Sequence, residues 1–172
     1  MACNAITAGR LEGCKDQVGG LAAIYFINHG AAGGWTATEE NISAPVSTTP
    51  DAFKYDLRGS STFEQSLTSS RENGTTFAEQ TLTVSLKAQN ATTHKEVKLL
   101  AYGRPHIIIE DNNGNLFVMG EDYGAEMSAS TSSGAAMGDK SGYELTFVAS
   151  EKGLAKFYTG DLVTDFAVTV GA

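Results

Sequence analysis

Asp111, Asn113 and Asn115 stand at the one, three, five spacing of the first oxygen ligands in a calcium-binding loop, and Asp122 falls at the twelfth place. The glycine that such a loop needs at its sixth position is instead Gly114, at the fourth, and the flanks are β-formers where helices are required. The stretch therefore reads as a turn. His29, His94 and His106 fall on a loop, a helix and a strand, with no Cys or carboxylate spacing that repeats a zinc pattern. Glu39-Glu40, Glu110-Asp111 and Glu121-Asp122 are neighbouring carboxylates, but a working acid/base pair also needs a pocket, and any acidic surface carries such pairs. Gly-x-Ser-x-Gly, a phosphate-binding loop ending in Lys-Ser/Thr, and His-Glu-x-x-His are all missing. The expectation is a non-enzymatic chain with no catalytic, metal or cofactor site. Trp35, the single tryptophan, sits in a Gly-rich stretch; it either folds back on its own core or anchors a subunit contact.

The elements that would position these residues read as strands. Residues 106–110 and 115–119 are β-branched or apolar runs around Asp111-Asn112-Asn113-Gly114, the pattern of a hairpin. Residues 21–28 are apolar on both faces, as a central strand would be. Further strands are expected at 53–57, 61–68, 75–87, 143–148 and 162–170. In 75–87, Leu82, Val84 and Leu86 alternate with Thr81, Thr83 and Ser85, while Phe77 takes the opposite parity and implies a bulge between Ala78 and Thr81. The one helix candidate starts at a Thr93–Glu96 capping box, carries Val97, Leu100 and Ala101, and stops at Gly103 and Pro105. Residues 1–19 form an amino-terminal arm with a turn near Gly19-Gly20. Two stretches, 29–51 and 121–142, read as long loops without apolar spacing of their own. The fold class expected is α+β, mainly β: one domain over 20–172, an antiparallel sandwich or barrel with one short helix packed against it.

Composition narrows the function. A chain of 172 residues supports one core, and its 19 Gly against 3 Pro suit many short strands. A formal charge of -8 argues against a surface that grips nucleic acid. No basic start followed by an apolar run is visible, so no secretory signal is expected, Cys3 and Cys14 are expected to be reduced, and the three Asn-x-Ser/Thr matches carry no weight. No stretch is apolar for long enough to cross a bilayer.

The run Glu110-Asp111-Asn112-Asn113-Gly114-Asn115-Leu116-Phe117-Val118-Met119-Gly120, then Gly134-Ala135-Ala136-Met137-Gly138-Asp139, Gly142-Tyr143-Glu144-Leu145-Thr146-Phe147 and Glu151, resembles small virion proteins of tailed phages that infect Bacteroidetes, and among these the tail tube (major tail) proteins. The opening, Met1 to Arg10 followed by Cys14 and Gly19-Gly20-Leu21, is similar too. The resemblance implies a virion structural protein of the tail, assembled in the cytoplasm of a bacterial host. Its copies would form stacked, hexameric rings around a channel through which DNA passes without sequence-specific binding. The implied partners are the chain itself and the terminator, tape measure and baseplate components of the tail, with no membrane and no cofactor. The two long loops would reach adjacent copies, making Trp35, Thr36, Glu39, Asn41, Tyr123, Met127, Ser130 and Met137 the candidate interface residues. The strands of 61–87 would line the channel, where an acidic wall repels the polyanion and lets it slide. The rival expectations are another virion component, such as a head decoration, connector or terminator ring, and a soluble carbohydrate-binding sandwich using Trp35 and Tyr123.

Overall fold

The computed structural model describes residues 8–171. In order these are β1 (Leu21–Ile27), β2 (Trp35–Thr38), β3 (Asn41–Pro45), β4 (Asp51–Asp56), β5 (Thr62–Ser70), β6 (Thr75–Lys87), α1 (Ala91–Tyr102), β7 (His106–Asp111), β8 (Leu116–Met119), β9 (Glu126–Ser132), β10 (Gly142–Glu151), β11 (Lys156–Tyr158), α2 (Leu162–Asp165) and β12 (Ala167–Val170). They make an eight-stranded sheet, β12-β4-β1-β7-β8-β11-β3-β2, and a four-stranded sheet, β5-β6-β10-β9. Most pairs are antiparallel; β12 with β4 and β11 with β3 are parallel. The protein is thus mainly β, with antiparallel sheets packed together and a short helix against them.

The double-sided apolar pattern of β1 is explained by its place between β4 and β7. Ile24 and Phe26 point into a core shared with the four-stranded sheet, where Leu82, Val84, Tyr143, Leu145 and Phe147 meet them. Ala23, Tyr25 and Ile27 point the other way, into a second core with Ile42, Ala52, Ile108, Tyr158 and Phe166. Strand β7 does the same, with Ile107 and Ile109 on one side and Ile108 on the other. Each fully buried Ile, Leu, Val or Phe among these contributes about 1.5–3 kcal/mol, so the eight-stranded sheet is held on both faces. Gly142 is fixed by close approach, since a Cβ there would strike the Leu86 carbonyl across the β6–β10 pair.

Several expectations need correction. The register of β5 on β6 runs unbroken from Thr62↔Thr83 to Ser70↔Thr75, so the bulge expected after Ala78 does not occur. Phe77 lies instead on the outer face, a single exposed aromatic. Helix α1 begins three residues early: Asn90 is its N-cap, its side-chain oxygen accepting the Thr93 N–H at 2.7 Å, and the Thr93–Glu96 capping box is not the start. Asparagine is the stronger N-cap residue. The strand expected over 162–170 is split, because Asp161 caps the turn of α2 through the Val163 N–H and only Ala167–Val170 pairs. Both long loops contain hairpins. Residues 29–51 hold β2 and β3, and Pro45 closes β3 without breaking it. Residues 121–142 hold β9, paired with β10 over seven positions. These stretches are ordered by their own sheets, and neighbouring copies are not needed for that.

Residues 8–19 are exposed and carry no regular structure. Their exit is held by the β7–β8 turn, where Asn113 bonds both the N–H and the carbonyl of Val18 and Asn112 donates to the Gly19 carbonyl. Cys14 is free and exposed; Cys3 lies outside the described residues.

Candidate assembly surface

Strand period two places every second residue of the four-stranded sheet in the core and the others on its outer face. The registers make that outer face readable row by row. Glu126, Val148, Thr81 and Glu64 form one row, Ser128, Thr146, Thr83 and Thr62 the next, then Ser130, Glu144 and Ser85. Glu79 lies between Ser150 and Ser66 in a further row, and Lys87 opposite Gly142 at the end. The face is therefore hydroxyl-rich, with four carboxylates and one ammonium. None of Glu64, Glu79, Glu126 or Glu144 enters an ion pair among the described residues.

Among the described residues the same sheet has two open edges, β5 and β9. Exposed edges are normally guarded by Lys, Pro or a bulge. Neither strand contains Lys, Arg or Pro, and both pair without interruption on their inner side. Apart from the Ser132 carbonyl, which accepts the Gln89 side-chain amide, their outward N–H and C=O groups are open to another strand.

The candidate interface residues fall into separate places. Thr36, Glu39 and Asn41 are exposed on the β2–β3 hairpin, at one edge of the eight-stranded sheet. Trp35, on the same strand, packs on the second core, 5.8 Å from His106 and 6.3 Å from Phe166 between ring centroids. Its buried indole N–H has no hydrogen-bond partner among the described residues. Tyr123 is exposed on the β8–β9 connection. Met127 and Ser130 lie on β9, Met127 turned to the first core and Ser130 outward. Met137 is fully exposed at the tip of the β9–β10 hairpin, where the Asp139 carboxylate accepts the N–H groups of Ala135 and Ala136. Of the outer glutamates, only Glu79 is legible in the sequence, by its parity with Thr81 and Thr83 on β6; Glu64, Glu126 and Glu144 lie on other strands and join it only through the strand order.

A cleft of about 600 Å³ opens beside β5, lined by Leu67, Gln80, Glu121, Asp122, Glu151 and Leu154 among others. Gln80, at a core position of β6, accepts the Gly120 N–H at 3.1 Å and donates to the Gly153 carbonyl at 3.4 Å. Glu151 is buried and accepts the N–H groups of Asp122 and Tyr123 at 3.2 and 2.9 Å. Burial raises its carboxyl above the usual range against those two bonds, helped by the charges of Asp122 and Glu121. Lys152 pairs with Asp122 at 2.9 Å and Lys156 with Glu121 at 2.8 Å.

His106 is buried and stacked on His29 at 4.9 Å. Its Nδ1 faces the Gly120 carbonyl at 2.5 Å, and its Nε2 accepts the Gly30 N–H at 3.3 Å, which requires the neutral ring. Burial pushes its proton affinity below the ordinary imidazole value, the Gly120 carbonyl opposes that shift, and His29 adds to it. The unfolded chain therefore takes up this proton first, so the contribution of His106 to stability is full above about pH 6.5 and is lost as pH falls. Urea melts between pH 7 and 5 should show wild type losing stability relative to His106→Gln, with a limiting slope of about 1.4 kcal/mol per pH unit for one proton. Parallel curves would mean that His106 is not held neutral. Subtraction removes the opposite trend expected of Glu151, whose raised carboxyl favours the fold at lower pH.

Asp111 does not converge with Asp122. Its carboxylate caps its own turn, accepting the N–H groups of Asn113 and Asn115, both at 2.8 Å, and their side-chain amides. Partial burial would raise this carboxyl, but those four bonds hold it below the usual range. No group of three or more His, Cys, Asp or Glu is placed to hold a metal among the described residues, and no helix there is long and apolar enough to cross a membrane. No family model, curated protein or solved structure matches this chain.

Proposed function

We propose that this chain is a virion structural protein whose copies join through β5 and β9 into rings, and whose rings stack into the tail tube of a phage. The carrying observation is a four-stranded sheet that is apolar inside, acidic and hydroxyl-rich outside, and unguarded at both edges. Its strands alternate in direction, so β5 and β9 run antiparallel. Copies related by rotation about one axis can then join β9 to the next β5 and continue an antiparallel ladder until the ring closes, which removes every edge of this sheet.

Size favours about six copies. Strands spaced roughly 4.8 Å apart give about 24 strands a backbone diameter of roughly 37 Å upright and roughly 48 Å at a tilt of about 40°. After lining side chains, that admits a duplex of roughly 20 Å, whereas about 16 strands from four copies would close upon it. With the outer face turned to the lumen, DNA meets carboxylates and hydroxyls and passes without being held. Terminator, tape measure and baseplate proteins would be the further partners, and the virion tail the location.

Negative-stain electron microscopy of the purified chain tests this. Stacked rings with an open channel are the expected result. Single rings that never stack would move the protein to a connector or terminator position, and a monomer at every concentration would end the reading.

A further inference from the structure

We infer that the exposed stripe of α1, formed by Lys95, Lys98, Leu99 and Tyr102, docks into the cleft beside β5 on the adjacent copy. This rests on the ring reading and names the second contact that such a ring would use.

The helix is two-faced. Val97 and Leu100 turn to the first core, while Lys95, Lys98, Leu99 and Tyr102 fall at i, i+3, i+4 and i+7, a single stripe on the opposite side. Leu99 is 54% exposed and Tyr102 89%, so the stripe combines two neighbouring apolar side chains with two ammonium groups. The cleft offers the complement. Leu67 and Leu154 are 55% and 47% exposed at its walls, and four carboxylates, Glu40, Glu121, Asp122 and Glu151, outnumber Lys152 and Lys156. Its volume of about 600 Å³ would also suit a small molecule, but Gln80, Glu151 and both lysines are already bonded within the chain. What remains is an apolar wall with excess negative charge, suited to a basic, apolar protein surface.

Topology brings the two together. Helix α1 packs against β9, at one edge of the four-stranded sheet and on its core side. The cleft lies on the same side at the other edge, bordered by Leu67 of β5. Both lie toward the same end of the strands. The amino end of α1 bonds near Ser132 and Tyr143, so Leu99 and Tyr102 lie toward Ala125, near the rows that hold Gln80 and Leu67. Joining β9 of one copy to β5 of the next therefore sets α1 against the neighbour's cleft.

The test uses charge reversal in the full chain. Lys95→Glu with Lys98→Glu on the helix, and Glu40→Lys with Asp122→Lys at the cleft, should each raise the concentration needed for ring formation by about tenfold or more. All four changes in one chain should bring it back to within about threefold of wild type. Circular dichroism and melting check that each variant folds. If wild type forms rings and both reversed variants do so at the same concentration, the docking is wrong and the ring reading stands. Impairment without rescue in the fourfold variant also overturns the docking. A wild-type chain that stays monomeric overturns both.

Discussion

Proline placed in turn at Ala129 and Ser130 is expected to yield one variant that folds but cannot assemble and one that is destabilised. Consecutive residues of a strand direct their N–H groups to opposite sides. Strand β9 has β10 on one side and, among the described residues, no strand on the other, so one of these two N–H groups feeds the ladder and the other points outward. Proline on the ladder side removes a hydrogen bond that β10 depends on, with a loss of roughly 1–3 kcal/mol or more. On the open side it removes only the donor offered to a neighbour, and its fixed φ is tolerated on an edge strand. That variant should melt within about 1 kcal/mol of wild type and show no rings by electron microscopy. Rings of normal yield from both variants would mean that β9 is not the joining edge. The pairing with β5 would then have to be abandoned, whatever else the protein forms.

What the sequence made legible follows from where apolar residues sit. Alternation in β6 and β10, the double-sided pattern of β1 and the β7–β8 turn all state their burial in the chain itself, and each appears where expected. Strand β9 has no strand signal in the sequence because Ser128, Ala129, Ser130 and Thr131 carry no apolar alternation. Its pairing comes from β10, which lends it a ladder that its own side chains do not announce. The β2–β3 hairpin was hidden in the same way by Gly33, Gly34 and Pro45. Trp35 shows a second limit: its docking against His106 and Phe166 joins residues far apart in the chain, which no local spacing encodes. The acidic outer face needed two facts together, the parity of each glutamate and the order of the strands. Only the first can be read along the chain.

Changing Glu79 and Glu144 together to lysine is expected to turn assembled tubes from indifferent to DNA into tubes that retain it. Both lie on the inner strands β6 and β10, so neither joining edge gains a lysine. On this face four carboxylates and one ammonium would become two carboxylates and three ammonium groups in every copy. Neither sits directly opposite another charge: Glu79 pairs with Ser66 and Ser150, and Glu144 with Ser85 and Ser130. The fold should therefore tolerate the reversal, since exposed substitutions away from special features usually change stability by within about 0.5 kcal/mol each. The electrostatic effect on DNA is much larger. Each phosphate neutralised steepens the salt dependence of binding by about 0.9 in log–log slope, so several contacts change affinity by orders of magnitude between low and physiological salt. Wild-type tubes mixed with linear duplex should leave it free at all salt concentrations, and the lysine tubes should retain it at low salt and release it as salt rises. Reversing Glu39, which is exposed on the β2–β3 turn and lies outside both this face and the cleft lining, is the control and should leave DNA free. If the lysine tubes ignore DNA as wild type does, this face does not line the channel, and the acidic sheet must instead lie on the outside of the assembly.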